Sequence, residues 1–395
     1  MMEKLTVRDI GLKGKKVLVR CDFNVPQDAN LEITDDTRVR ASLPTINYIL
    51  SQQPKKIILI SHLGRPDGKT VAKYSLKPVA ERLKELLGQD VKMLNDCIGE
   101  SIQKGIDGSP ETVILLENLR FHPEVEQNDP NFSRALAGLA DIYVNDAFGT
   151  AHRAHASTEG VTHYLTSAAG FLLEKEIREL GGVLEKPQKP FMVILGGAKV
   201  SDKIGVIENL LPKADEIIIG GGMSYTFLKA QGKQIGNSKL EKDKLGIAKE
   251  ILEKAKKQKV GILLPVDNVV TDKIEAGSKV EITGVDIPDG WIGVDIGPKT
   301  IKQYCATLKK AKTIVWNGPL GIFEMEPFAS GTRKVAEFIA GLKTTAIIGG
   351  GDTAAAIAKF GLEDKMTHIS TGGGASLEFL EGKVLPGIAA LTDKK

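Results

Sequence analysis

Short apolar runs rich in Val and Ile alternate along the chain with longer stretches whose apolar residues recur every three or four positions. That alternation predicts an α/β protein, with the short runs as buried parallel strands and the longer ones as covering amphipathic helices. Strands are expected at 16–23, 56–63, 112–119 and 141–148 in the first half. In the second half they are expected at 191–197, 216–222, 261–267, 313–319, 345–351 and 367–373. Helical stretches lie between them, among them 75–88 and 330–341. A long helical segment, "FLLEKEIRELGGVLEKPQKP" (171–190), ends in a polar, proline-containing stretch and separates the two sets, so a domain boundary is expected there. Both halves read as doubly wound sheets.

Open parallel sheets bind ligands at the carboxyl ends of their strands, so the residues just after each apolar run are informative. The first-half runs lead into Arg20, Asp22 and Asn24, then His62 and Arg65, then Arg120, then Arg153. The second-half runs lead into Gly196, Gly197 and Lys199, then Gly220–Gly222, Asn317, Gly349–Asp352 and Gly372–Gly374. Nine of the eleven arginines fall in the first 153 residues, and five of the six histidines in the first 163. The halves therefore have different chemistry. One edge offers guanidinium forks suited to a small phosphorylated carboxylic acid; the other offers glycine, lysine and one aspartate, as a nucleotide with a metal requires.

Composition narrows the classes further. The chain has 395 residues, enough for two domains, with 42% hydrophobic and 26% charged residues. A net charge of +3 (53 basic against 50 acidic) is too small to point to nucleic acid or to a membrane surface. No apolar run approaches the ~20 residues of a membrane span, and "MMEKLTVRDI" lacks the apolar stretch of a secretory signal. Cys21, Cys97 and Cys305 have no CxxC spacing and cannot all pair, which suits a reducing compartment. A cytoplasmic location is expected.

Individual segments add detail. Arg38, Arg65, Arg120 and Arg153 are each ordinary as a single loop cation, but together they converge on one site. Asp22 and Asn24 would repel an anion if unpaired and suit a substrate hydroxyl or a neighbouring arginine. "LGGAKVSDKIG" (195–205) puts Lys199 and Lys203 four apart, expected on one face of a helix that starts after a glycine turn. It is no Walker A loop, because Asp202 stands where glycine is required. "GGGDTA" (349–354) also fits G-x-G-x-x-A, a dinucleotide fingerprint, but Asp352 would then face the pyrophosphate. With Mg²⁺ present, Asp352 becomes its ligand or anchor. "STGGGASLEFLEG" (370–382) offers Ser370 or Thr371 as a helix cap, and amides of the three glycines could hold a phosphoryl group. His152 and His155 have ligand spacing without a third ligand nearby, and no nucleophile–base constellation or clustered metal-binding histidines stand out. Phosphoryl transfer to an acceptor that is already anionic needs positioning and charge stabilisation more than proton transfer.

From about residue 4 to the C-terminus the chain resembles the phosphoglycerate kinase family. The resemblance rests on "KVLVRCDFNVP", "SHLGRP", "ENLRFHPEVE", "VNDAFGTAHRAHAS", "ILGGAKVSDKI", "IIIGGGMSYTFLKA", "WIGVDIGPKT", "IVWNGPLGIFE", "IIGGGDTAAA" and "STGGGASLEFLEGKVLPG". It implies two Rossmann-like domains joined by a long helix: 1–170 for the triose phosphate, 171–190 as hinge, 191–376 for the nucleotide, and 377–395 returning to the N-terminal domain. It implies reversible, Mg²⁺-dependent phosphoryl transfer from 1,3-bisphosphoglycerate to ADP by a monomer, with closure about the hinge. Family triose-phosphate contacts correspond to Asp22, Asn24, Arg38, His62, Arg65, Arg120 and Arg153. Nucleotide contacts correspond to Lys199, Lys203, Gly221, Gly293, Asn317, Glu324, Gly350, Gly351, Asp352 and Thr353, with Asp352 associated with the metal and Glu324 with the ribose. Arg38, Lys203 and Gly372, Gly373 and Gly374 correspond to the stabilisers of the transition state. Cys21 departs from the small aliphatic residue expected there. Two other classes compete with this reading: an NAD-dependent dehydrogenase using "GGGDTA", and a non-catalytic sensor of a phosphorylated metabolite.

Overall fold

The structure, a computed structural model, describes residues 4–394. By contacts the chain divides into two compact units. One runs to Arg178 and takes back Val384 onward; the other is Glu179–Lys383.

The first unit contains a six-stranded sheet of β1 (Lys16–Arg20), β2 (Lys56–Ile60), β3 (Val91–Met93), β4 (Val113–Leu115), β5 (Ile142–Asn145) and β6 (Thr166–Ala169). Their order is β3-β4-β2-β1-β5-β6, and every pair is parallel. Helices cover both faces of such a sheet, so its strands read as unbroken apolar runs. All five residues of β2 are buried; even Lys56 is, because its ammonium donates to the Ser109 and Glu111 carbonyls at 2.6 and 2.8 Å. From β1 the chain builds β2, β3 and β4 on one side before crossing to β5 and β6 on the other, so the crevice between β1 and β5 is the switch point where a ligand is expected.

The second unit repeats the plan with β7 (Phe191–Leu195), β8 (Glu216–Ile219), β9 (Gly261–Leu263), β13 (Thr313–Asn317), β14 (Thr345–Gly349) and β15 (His368–Ile369), in the order β15-β14-β13-β7-β8-β9, again all parallel. Here β7 and β13 flank the switch point. Between β9 and β13 the chain also forms β10 (Asn268–Thr271), β11 (Val280–Thr283) and β12 (Ile292–Ile296), an antiparallel sheet in the order β11-β10-β12.

The observed strands begin within a residue of the apolar runs but stop two to four residues short of their expected ends. The last residues of each run leave the ladder to form the loops that carry the polar groups. Edge strands β3 and β6 and the antiparallel sheet are additions to the expected set, being three to five residues long and weakly patterned. The helix expected at 171–190 is Phe171–Glu185, and the division between units falls inside it, after Arg178. The return to the first unit begins at Val384, not at 377, because helix Gly374–Leu380 packs on helix Ile204–Leu210 through Asn209 Nδ2, which donates to the Leu380 carbonyl at 2.8 Å. The returning segment is held by Asn145 Nδ2, donating to the Gly387 carbonyl at 3.0 Å, and by Lys4, whose ammonium binds the Ala389 and Leu391 carbonyls. Among the described residues no helix is long and apolar enough to cross a membrane.

The start of the long helix depends on one buried carboxylate. Asp146, just after β5, accepts the Leu172 amide at 2.8 Å and the Leu173 amide at 3.4 Å, while Thr45 Oγ1 takes the Phe171 amide at 2.9 Å. Burial pushes Asp146 up from 3.8 to about 7, against the opposing pull of the hydrogen bonds from Thr45, Leu173 and Leu172. A carboxyl that holds its proton more tightly in the folded state stabilises that state at low pH and loses the contribution as pH rises. We therefore expect Asp146 to make the first unit less stable as pH rises from about 4 to about 7, by at most about 1.4 kcal/mol per pH unit. Asp146→Asn should flatten that slope in denaturant unfolding monitored across this range, and an unchanged slope would refute the assignment.

Candidate active site

At the carboxyl edge of the first sheet, the loops after β1, β2, β4 and β5 bring cations together. Arg20 ends β1 and is buried, with its guanidinium donating to the Cys21 carbonyl and, at 3.1 Å, to His62 Nδ1. An arginine has only donors, so Nδ1 of His62 is an acceptor and its proton is on Nε2. Burial, then the charges of Arg20, Arg120, Arg38 and His155, hold His62 well below the ordinary histidine range. Burial and Arg120, Arg20, Arg153 and His152 likewise lower His155 to about 3. Both rings are therefore neutral at physiological pH.

The remaining cations surround this pair. Arg38, in the first turn of helix Thr37–Ser51, donates to Asp22 Oδ2 at 2.9 Å. Arg120 donates to the Gly64 carbonyl at 2.9 Å and lies 3.1 Å from Glu126; burial lowers its pKa, as do the nearby charges of Arg20, Arg153 and Arg65. Asn24 Oδ1 accepts the Gly64 amide at 2.8 Å, which fixes the turn carrying Arg65. Arg65 and Arg153 are exposed. Buried cations with few carboxylates make a strongly anion-seeking surface.

The second sheet has the opposite design. At its switch point a Cβ on Gly196 would lie 2.1 Å from the Pro319 carbonyl oxygen, and one on Gly318 would lie 2.2 Å from the Gly196 oxygen. Two loops pass there with bare backbone. Beside them is a cavity of about 350 Å³, with a mainly apolar lining that includes Gly197, Gly221, Gly293, Ile322, Glu324 and Asp352. Gly293 lies under the ring of Tyr225, whose hydroxyl would be 2.2 Å from any Cβ there.

Next to the cavity, Lys203 donates to Asn317 Oδ1. Burial lowers the Lys203 pKa, while Asp202, Asp352 and Glu381 pull it back up. Asn317 Nδ2 is buried without a partner and lies close to Gly350, where a Cβ would be 3.1 Å away. Gly350 has φ +88°, and it caps helix Gly351–Lys359, which carries Asp352 in its first turn. Thr353 Oγ1 accepts the Gly318 amide at 2.6 Å. An unpaired donor, an ammonium and a helix N-terminus that meet at one point suit phosphate oxygens.

Every expected residue of the first unit joins the basic cluster. In the second unit Gly221, Gly293, Glu324 and Asp352 line the cavity, while Lys203, Asn317, Gly350, Gly351 and Thr353 adjoin it. Two expectations are corrected. Lys199 and Lys203 do not share a helix face: residues 199–203 are a turn, and the helix begins at Ile204 with Lys203 as its cap residue. Lys199 is exposed, next to the cavity-lining Ala198. Neither Ser370 nor Thr371 caps the glycine-rich helix. It starts at Gly374 with Gly373 (φ +51°) in the cap position, and the Ser370 hydroxyl instead meets Ser376 and takes the Gly372 amide at 3.2 Å. Arg20 and His155 are not among the residues expected to touch the ligand, although both are central to the basic cluster. Arg20 is the polar end of an otherwise apolar strand, and that is its signal.

Comparisons with known proteins show the family to which the chain belongs. Residues 7–383 match the family model described as phosphoglycerate kinase. The phosphoglycerate kinase of Pseudothermotoga lettingae is 57% identical over 397 residues, and that of Moorella thermoacetica 56% over 395, each covering 100% of both chains. Among solved structures, phosphoglycerate kinase from Coxiella burnetii is 44% identical with a TM-score of 0.90, and that from Pyrococcus horikoshii OT3 is 34% identical with 0.84, each covering 98% of both chains. The basic cluster and the glycine-walled cavity are thus found in a chain that belongs to the phosphoglycerate kinase family.

Proposed function

We propose that the two sites divide one reaction between them. The chain is a glycolytic kinase that reversibly transfers a phosphoryl group from 1,3-bisphosphoglycerate to ADP, giving 3-phosphoglycerate and ATP. In our reading Asp22, Asn24, Arg38, His62, Arg65, Arg120 and Arg153 hold the triose phosphate. Lys199, Lys203, Gly221, Gly293, Asn317, Glu324 and Gly350–Thr353 hold the nucleotide, with Glu324 on the ribose. The observation that carries this is the contrast between an arginine-rich cluster, with Arg20, Arg38 and Arg120 acting on neutral His62, and a glycine-walled cavity in the other unit, with the unpaired Asn317 amide beside Gly350.

A β-phosphate oxygen of ADP attacks the acyl phosphate in line, the bond from phosphorus to the acyl oxygen breaks, and a carboxylate leaves. No proton moves, which agrees with two histidines held neutral. Arg38, Lys203 and the amides of Gly372–Gly374 take up charge on the phosphoryl group as it transfers. Asp352 is exposed in the first turn of its helix and would hold Mg²⁺ together with the nucleotide. A hard oxygen ligand beside a phosphate suits that ion. Bound magnesium would offset the negative charge of the nucleotide's phosphates. The Asp22 carboxylate holds Arg38 ready without quenching it, because Arg38 stays about one-third exposed.

Arg38→Ala should lower kcat about a hundredfold or more, with a smaller change in the KM for 3-phosphoglycerate, in a coupled assay. Unaltered turnover would end its role as a stabiliser. Asp352→Ala should lower kcat/KM for magnesium nucleotide about tenfold or more while 3-phosphoglycerate binding, measured by calorimetry, holds within about twofold. Equal loss of both would count against Asp352 as the metal's anchor. In-line transfer also requires the two ligands to be brought together, and we infer that the chain does this as a monomer that closes about the 171–190 segment. Small-angle scattering should report a monomer mass and a smaller radius of gyration with both ligands bound, and identical dimensions with and without ligands would refute closure.

A further inference from the structure

We propose that Asp96, Cys97 and His122 form a binding site for a thiophilic divalent cation, with zinc as the best match. One carboxylate oxygen, one thiol sulfur and one imidazole nitrogen from these residues all lie within 4.8 Å of one another. His122 Nε2 is 2.6 Å from Asp96 Oδ1. Cys97 is buried, whereas Asp96 and His122 are partly exposed, so the thiol lies innermost and the other two donors are reachable from solvent.

The loops that carry them are well anchored. Asp96 and Cys97 come after β3, and His122 comes after β4, its neighbour in the sheet. Asp96 Oδ1 accepts the Cys97 amide at 2.7 Å, and the Cys97 thiol donates to the Glu117 carbonyl at 2.9 Å. The Glu117 carboxylate in turn holds the Leu76 and Asn118 amides at 2.8 and 2.7 Å. The His122 ring lies against Phe132, with centroids 5.3 Å apart. The Cys97 amide, the Glu117 carboxylate and the Phe132 ring orient the loops before any ion arrives, as a metal site requires, while the Cys97 thiol's hydrogen bond to Glu117 is the contact an ion would replace.

The donor set selects the ion. Sulfur, nitrogen and a single oxygen suit tetrahedral zinc, with water in the fourth position, and disfavour magnesium. On binding, a metal–sulfur bond replaces the thiol S–H bond of Cys97, and the proton goes to solvent. The site is separate from Asp352, which lies in the other unit and offers only oxygen. His122 is two residues beyond Arg120, so an ion here would brace the loop that carries one of the triose-phosphate arginines.

The test is a titration of the full chain, freed of metal by a chelator, with Co²⁺ as the spectroscopic probe and Zn²⁺ as its competitor. One Co²⁺ per chain is expected, with a thiolate-to-cobalt charge-transfer band that Zn²⁺ abolishes and excess Mg²⁺ does not. Cys97→Ser should remove that band, and His122→Ala should weaken binding about tenfold or more. Cys305→Ser, at the half-buried thiol, should change neither. The proposal is overturned if wild type takes up no ion, or if the band persists in Cys97→Ser. If circular dichroism finds Cys97→Ser unfolded, the partly exposed variants Asp96→Asn and His122→Gln decide instead: weakened binding in both supports the site, and unchanged affinity in both refutes it.

Discussion

In a sheet whose strands all run parallel, every strand delivers its outgoing loop to the same edge. Both six-stranded sheets here obey that constraint, so groups far apart in sequence meet without any long-range design. The edge must still be made habitable, and the two units do it in opposite ways. In the first, the strand ends are filled with cations; in the second, side chains are removed. The crossing of Gly196 and Gly318 is the sharper case, since at both positions a single added carbon would collide with a carbonyl oxygen of the other loop. Bare backbone there lets the two loops pass closely and leaves a cavity beside them.

Gathering cations carries an electrostatic cost that the first unit spreads over its neighbours. Arg20 is buried and keeps its charge by donating to the Cys21 carbonyl and to His62. The two histidines among the arginines stay neutral, so they add donors and acceptors without adding repulsion. Carboxylates are held at the border. Asp22 steadies Arg38, and Glu126 steadies Arg120 from a half-exposed position. An incoming phosphate then meets charges that are already oriented but incompletely neutralised, which is the condition for strong electrostatic stabilisation. Cys21 fits this setting as a small buried side chain, its thiol pushed up by burial and by Asp146.

Much of this was legible in the chain because parallel strands write themselves as unbroken apolar runs, and the residue that ends each run is polar. Arg120, His62, Asn317 and Asp352 could all be found that way. The features that stayed hidden depended on contacts between distant segments. The turn at 199–203 looks helical by spacing, yet the glycine-rich loop before it delays the helix to Ile204. Ser370 looks like a cap by position, but its hydroxyl is taken by Ser376. The antiparallel strands β10–β12 are too short to leave a period. Cys97 and His122 are 25 positions apart, and only the pairing of β3 with β4 brings their loops together.

The charge balance around Lys203 gives the second site its direction. One largely buried ammonium feels three carboxylates, Asp202, Asp352 and Glu381, which offset part of its attraction for an anion. A nucleoside diphosphate would add several more negative charges. On the proposed reading, a divalent cation arriving with the nucleotide would satisfy Asp352 while Lys203 and the Asn317 amide face the phosphate oxygens. The same carboxylates would then favour the metal complex over bare nucleotide. Selectivity of this kind would come from placing repulsion correctly, with the glycine run before Asp352 leaving room for the ligand to approach.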